Sequence, residues 1–276
     1  MHRREFLNKS LLAAGTAVAC PMLLANPAPN DNELNRLTSF VSTKPWNFDA
    51  ASKYLVSLGH HQIPVLRAAM RCGDSATCCL ALCMAKGLKP NALSLLPELV
   101  ALAQDDQSEN WFRAVIAIGK IGPSAQVAAP VLEQLLESPD PLMQLDVVTS
   151  LIQIQPSRLD GLSHFVHRAL DQLEVVLPAC RMVGELEERG RRFVPQLESI
   201  VFDNATEVRP DICCEAARAI YKITHNSNSL AVQLGVHAEI QLLTSPDHRI
   251  RRIALSRQRT CGPVAPFSQT RSHKTD

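Results

Sequence analysis

Nine cysteines are the residues of this 276-residue chain best equipped for chemistry. Four of them, Cys72, Cys78, Cys79 and Cys83, fall within one short stretch, and Cys79 and Cys83 share a face if that stretch is helical. Such a set can hold one disulfide, bind a soft metal, or serve as small apolar packing residues. No Cys-x-x-Cys spacing occurs and no histidine interleaves the set, so packing is the expected role, with a local disulfide and a metal as the alternatives. A second vicinal pair, Cys213-Cys214, recurs far along the chain. The nine histidines form no ligand constellation: His60-His61 fall in an expected turn, and His164 and His167 share one helix edge. Glu185, Glu187 and Glu188 beside Arg189, Arg191 and Arg192 read as solvated ion pairs rather than an acid–base pair. There is no glycine loop to cradle a phosphate and no serine nucleophile elbow. No catalytic residue, metal ligand or cofactor is therefore assigned. Partner binding has candidates instead. Trp111 and Arg113 open a helix side by side, Arg251 and Arg252 belong to a basic run, and both residue types are enriched at binding hot spots.

The elements that carry these residues are set by proline. Pro64, Pro97 and Pro130 follow one another at 33-residue steps, and so do Pro90, Pro123 and Pro156. A fixed period of that size marks stacked helical hairpins. In the unit Leu96–Pro123, Pro97 sits in a first helical turn, where a missing amide hydrogen is harmless. Leu99, Val100, Leu102 and Ala103 then recur at helical spacing, polar residues 104–110 make a turn, and Ala114, Ala117, Ile118 and Ile121 form a second apolar face. Gly122-Pro123 stops that helix. The next unit repeats the pattern from Pro130 to Pro156, with Asp140-Pro141 as N-cap and first helical residue. Further units follow through 164–186, from Pro195, and over 238–263, where AEIQLLTSPDH echoes VLEQLLESPDP. Residues 47–58 read as the second helix of an incomplete first unit. The expectation is an all-α solenoid of about six helix–turn–helix units over 47–263, preceded by a linker (26–46) and followed by a disordered tail (264–276).

Charge and the N-terminus bear on where the protein works. The formal net charge is +1, but residues 1–25 carry +2, residues 26–244 carry −6 and residues 245–276 carry +5. Basic charge is not spread along the chain as a nucleic-acid groove requires. Residues 1–25 join MHRREFLNK to the apolar run SLLAAGTAVAC and read as an export signal resembling the twin-arginine kind. Cleavage after Ala19 or Ala25 and lipid attachment at Cys20 are all open, so the expected location is outside the cytoplasmic membrane, periplasmic or membrane-anchored. The run 249–259, RIRRIALSRQR, suits an acidic protein or anionic lipid headgroups.

The string IAIGKIGP at 116–123 resembles the second helix of HEAT repeats, in particular the short HEAT-like kind of phycobilisome lyases. The resemblance covers about residues 60–263. The arginine that opens the family's second helix is replaced by Cys78, Trp111, Gln144 and Cys213 and kept as Arg251. Di-iron hydroxylases of HEAT type are excluded, because their metal sites are built from repeated His-Glu pairs and this chain has none. What the resemblance implies is a protein-binding scaffold or accessory subunit without enzymatic activity. Two rivals are a bilin (tetrapyrrole) lyase or chaperone, which an export signal argues against, and a thiol-linked oxidoreductase accessory.

Overall fold

The computed structural model describes residues 31–42, 45–105, 108–205 and 209–265; the export-signal segment 1–25 and most of the expected tail lie outside them. The chain is all-α, and no strand occurs among the described residues. The helices are α1 (Asp31–Ser39), α2 (Phe48–Ser57), α3 (Gln62–Arg71), α4 (Ser75–Leu88), α5 (Leu96–Gln104), α6 (Trp111–Ile121), α7 (Ala129–Leu135) and α8 (Pro141–Ile154). They continue as α9 (Leu159–Asp171), α10 (Val176–Glu185), α11 (Val194–Asn204), α12 (Pro210–Thr224), α13 (Leu230–Thr244) and α14 (His248–Cys261). Two compact units divide between Leu162 and Ser163.

The prolines do what their spacing requires. Pro97 and Pro130 occupy the first turn of α5 and α7, and Pro64 and Pro195 fall in the first turns of α3 and α11. The second series does more than stop helices. Pro90, Pro123 and Pro156 each open a 3₁₀ turn that carries the chain into the next hairpin. At Gly122 the backbone enters φ +79°, a region only glycine adopts freely, so α6 and α7 separate there. The run Trp111–Leu135 has length and hydropathy enough to cross a bilayer, yet this break splits it and both halves bury against neighbours.

Within the first unit the second helices α4, α6 and α8 pack on one another in a row, each also holding its own first helix. They form the spine: α8 has one exposed residue, Leu142. Close approach is enforced at Gly119 of α6, where an added Cβ would stand 2.8 Å from Ser150 Cα, and the Ser150 hydroxyl donates to the Val115 carbonyl at 3.0 Å. The second unit repeats that contact between α10 and α12, where a Cβ at Gly184 would stand 3.1 Å from Ala219 Cα.

Two expectations need correction. The segment 26–46 is not a plain linker: it contains α1, whose Leu37 is fully buried and which packs on α3. The Tyr54 hydroxyl ties α2 to α1 by donating to the Glu33 carbonyl at 3.2 Å. The tail does not begin at 264, because Val264 and Ala265 are buried.

Asp146 is half-buried in α8. Burial, and then the nearby Asp140 carboxylate, push its carboxyl up to about 6. A raised carboxyl stabilises the fold below pH 4 and stops doing so as the pH climbs through 6. Asp146→Asn is therefore expected to match the parent near pH 4 and to exceed it by about 1–2 kcal/mol at pH 7, after allowance for partial solvation. Urea titrations at the two pH values measure the difference.

Candidate functional site

The SPD echo in the sequence corresponds to one repeated turn. Asp140 caps α8 by accepting from the Leu142 amide at 2.9 Å, and Asp247 caps α14 by accepting from Arg249 at 2.7 Å. Ser138 and Ser245 accept from the two aspartate amides in the same way. Gln144 then reaches back to donate to the Leu136 and Ser138 carbonyls, while Arg251, at the same repeat phase, donates to those of Ser245 and Pro246. A long donor at this position satisfies carbonyls left over at the end of the first helix. The Arg251 guanidinium is thus occupied inside its own hairpin, whereas its neighbour Arg252 is exposed.

Trp111 and Arg113 are half-buried at the start of α6. Trp111 meets Phe112 edge to face, with ring centroids 5.9 Å apart. Arg113 lies over the other ring, 4.3 Å from the Phe112 centroid, and donates to the Asn110 side chain at 3.2 Å. Trp111 and Arg113 therefore share one surface patch, and Arg252 lies in the second unit.

The cysteines pack. All eight described cysteines are free thiols, and Cys78, Cys79, Cys180, Cys213 and Cys214 are buried. Burial pushes the Cys78 and Cys213 thiols up to about 11 and Cys180 to about 12, with Cys79 and Cys214 also raised by burial. Groups held protonated in this way support the fold below pH 9 and oppose it as the pH rises further. A thiol reagent at pH 8 is expected to modify exposed Cys72 first and the half-buried Cys83 and Cys261 more slowly. The five buried thiols react only after unfolding. Among the described residues no group of three or more His, Cys, Asp or Glu side chains converges as a metal site.

What the sequence reading did not single out is a chain of buried charges in the second unit. Arg181 on α10 donates to Glu215 on α12 at 3.1 Å. The other Glu215 oxygen stands 3.1 Å from Arg218 Nη1, and Arg218 Nη2 donates to Glu239 on α13 at 2.9 Å. The second Glu239 oxygen accepts the Val264 amide at 3.0 Å, so the segment after α14 closes the series. Glu215, Arg218 and Glu239 are 2–5% exposed, burial that ionised groups tolerate only when paired. A small cleft of about 50 Å³ opens beside them, lined by Cys180, Arg181, Gly184, Glu215, Arg218 and Lys222 among others. No protein-family model matches this chain, and no curated protein is significantly similar to it. The signal was present in the sequence: Glu215 and Arg218 interrupt an otherwise apolar run, ICCEAARAI, in which every face of the helix is buried.

The remaining feature is α14. It packs on α13 and buries only Ala254, leaving Ile250, Ile253 and Leu255 39–54% exposed beside the exposed Arg249, Arg252 and Arg259. The expected solvation of the 185–192 charges is found, since Glu185, Glu187, Glu188, Arg189, Arg191 and Arg192 are all exposed around buried Gly190 and Phe193.

Proposed function

We propose that this chain is an exported, non-enzymatic helical-repeat scaffold of the HEAT-like kind that its second-helix strings resemble, and that it holds another protein. The observation that carries the reading is α14, whose aliphatic side chains and arginines face outward, uncovered by any other described residue. Exposed aliphatics grouped beside arginines on one helix favour a partner. Charges inside the second unit are engaged with one another and its buried thiols Cys180, Cys213 and Cys214 are held protonated, which suits a rigid holder better than a reactive centre. Export rests on the RREFL string and the apolar run behind it.

A photo-crosslinking residue placed at Arg252, and separately at Trp111, in cells with an intact envelope tests the reading. Capture of one defined protein outside the cytoplasmic membrane supports it. A mature chain confined to the cytosol, or no protein adduct at either position, defeats it.

A further inference from the structure

We propose that the outward line of arginines on α14 takes an acidic amphipathic helix, through which the partner presents carboxylates to the scaffold. The inference rests on the scaffold reading and names the chemistry of the protein that is held. The five arginines of α14 sort into two sets. Arg251 is engaged by the carbonyls of Ser245 and Pro246, and the half-buried Arg257 interacts electrostatically with Asp211 of α12. Arg249, Arg252 and Arg259 are exposed, and their side chains meet no hydrogen-bond or ion-pair partner among the described residues. Between residues 230 and 261 the chain has two acidic residues, Glu239 and Asp247. Glu239 is buried against Arg218, and Asp247 caps α14 through the Arg249 amide, so neither balances the outward set.

The arrangement of these side chains selects the partner. Arg249, Arg252, Ser256 and Arg259 follow at intervals of three, four and three residues, which places them along one line of the helix. Arg252 and Ser256 stand two residues to either side of Ala254, the one buried residue of α14, so the line runs opposite the face that packs on α13. Ile253 and Leu255, one residue to either side, lie about 100° round from Ala254 on the two flanks. The guanidiniums therefore form a ridge with aliphatic side chains on both slopes, 54% and 45% exposed. A bilayer takes a helix in the opposite sense, with aliphatics foremost and cations trailing at the headgroups. Seating Ile253 and Leu255 among acyl chains carries the ridge in ahead of them. A second helix meets no such conflict. It repeats the same intervals, so carboxylates at i, i+3 and i+10 can face Arg249, Arg252 and Arg259 while aliphatics beside them cover Ile253 and Leu255. The ridge is about 15 Å long, room for nearly three turns of such a helix.

The test uses the full chain and a fluorescein-labelled helical peptide with Glu at those intervals and Leu beside them, read by anisotropy at low salt. Replacing Glu by Gln in the peptide is expected to weaken binding about 10-fold, and a salt concentration of about 0.5 M to remove most of that difference. Arg252→Glu combined with Arg259→Glu should weaken the Glu peptide about 10-fold or more and bind a Lys peptide of the same pattern instead; that exchange separates lost recognition from misfolding. Ile253→Ser should weaken the Glu peptide about 3-fold. Equal binding of the Glu and Gln peptides, no gain with the Lys peptide, or phosphatidylglycerol vesicles or duplex DNA bound in preference to the Glu peptide would each overturn the proposal. In cells, a photo-crosslinking residue at Ser256 separates the inference from the reading beneath it. Capture of a defined protein that the double reversal abolishes supports both. Capture that the reversal leaves unchanged overturns the acidic-helix inference and spares the scaffold, and no capture there or at Trp111 defeats both.

Discussion

Arg218→Ala is expected to lower the unfolding free energy of the second unit by about 3–5 kcal/mol. The side chain is 4% exposed and stands between Glu215 and Glu239, both similarly buried. Its removal leaves two carboxylates in a medium that solvates them poorly, with Arg181 to serve Glu215 and a single backbone amide to serve Glu239. The cost arises from those stranded charges more than from the attraction that is lost. A combined variant makes the distinction measurable. Arg218→Met with Glu215→Gln and Glu239→Gln should recover most of the stability, because no ionised group is then left alone. Urea unfolding followed by circular dichroism gives both numbers. If Arg218→Ala costs less than 1 kcal/mol, the charges are not buried as described.

The second large effect comes from two glycines with opposite expected signs. Gly235 lies inside α13 where that helix crosses α12, and an added Cβ would stand 2.1 Å from the Ala217 Cβ. Real carbon atoms do not approach so closely, so the two helices must separate, at a cost of about 3 kcal/mol or more. Gly87 is exposed in the last turn of α4, and a Cβ there meets nothing within 4 Å. Gly87→Ala is expected to stabilise by about 0.5–1 kcal/mol, through helix propensity and a less flexible unfolded chain. The same chemical change thus moves the melting temperature in opposite directions at two helical sites. Parallel thermal melts of the two variants check the pair, and a Gly235→Ala protein as stable as its parent would contradict the α12–α13 contact.

Much of the architecture is legible in the sequence because its punctuation is chemical. Pro97 and Pro130 fix where helices start, Asp140 and Asp247 cap them, and Gly122 ends one; each acts through its own backbone or through neighbours two residues away. Such local effects survive in one dimension. The 3₁₀ connectors were not legible, since proline after a helix reads as a stop whether or not a tight turn follows. Helix α1 was missed for a related reason: DNELNRLTS has only two leucines, Leu34 and Leu37, of which Leu37 alone is buried, and its helix depends on the surface it docks on. The candidate site was the least legible part. Arg181, Glu215, Arg218 and Glu239 lie on three helices, and pairing across that distance has no periodic signature. Trp111, Arg113 and Arg252 stand out by residue type alone, while the role of Arg251 became visible only through the equivalent bonds of Gln144.

The bond from Glu239 to the Val264 amide sets an order of events during synthesis. Glu239 leaves the ribosome 25 residues ahead of the amide that completes its coordination. Until Val264 emerges, the carboxylate oxygen facing that amide needs water, and water must reach a place that the finished protein keeps dry. The α13–α14 pair therefore stays loose until the segment after α14 arrives and drives that solvent out. A nascent chain remains wet and pliable beside Glu239 until then, and the bond to Val264 marks the moment at which this part of the fold locks.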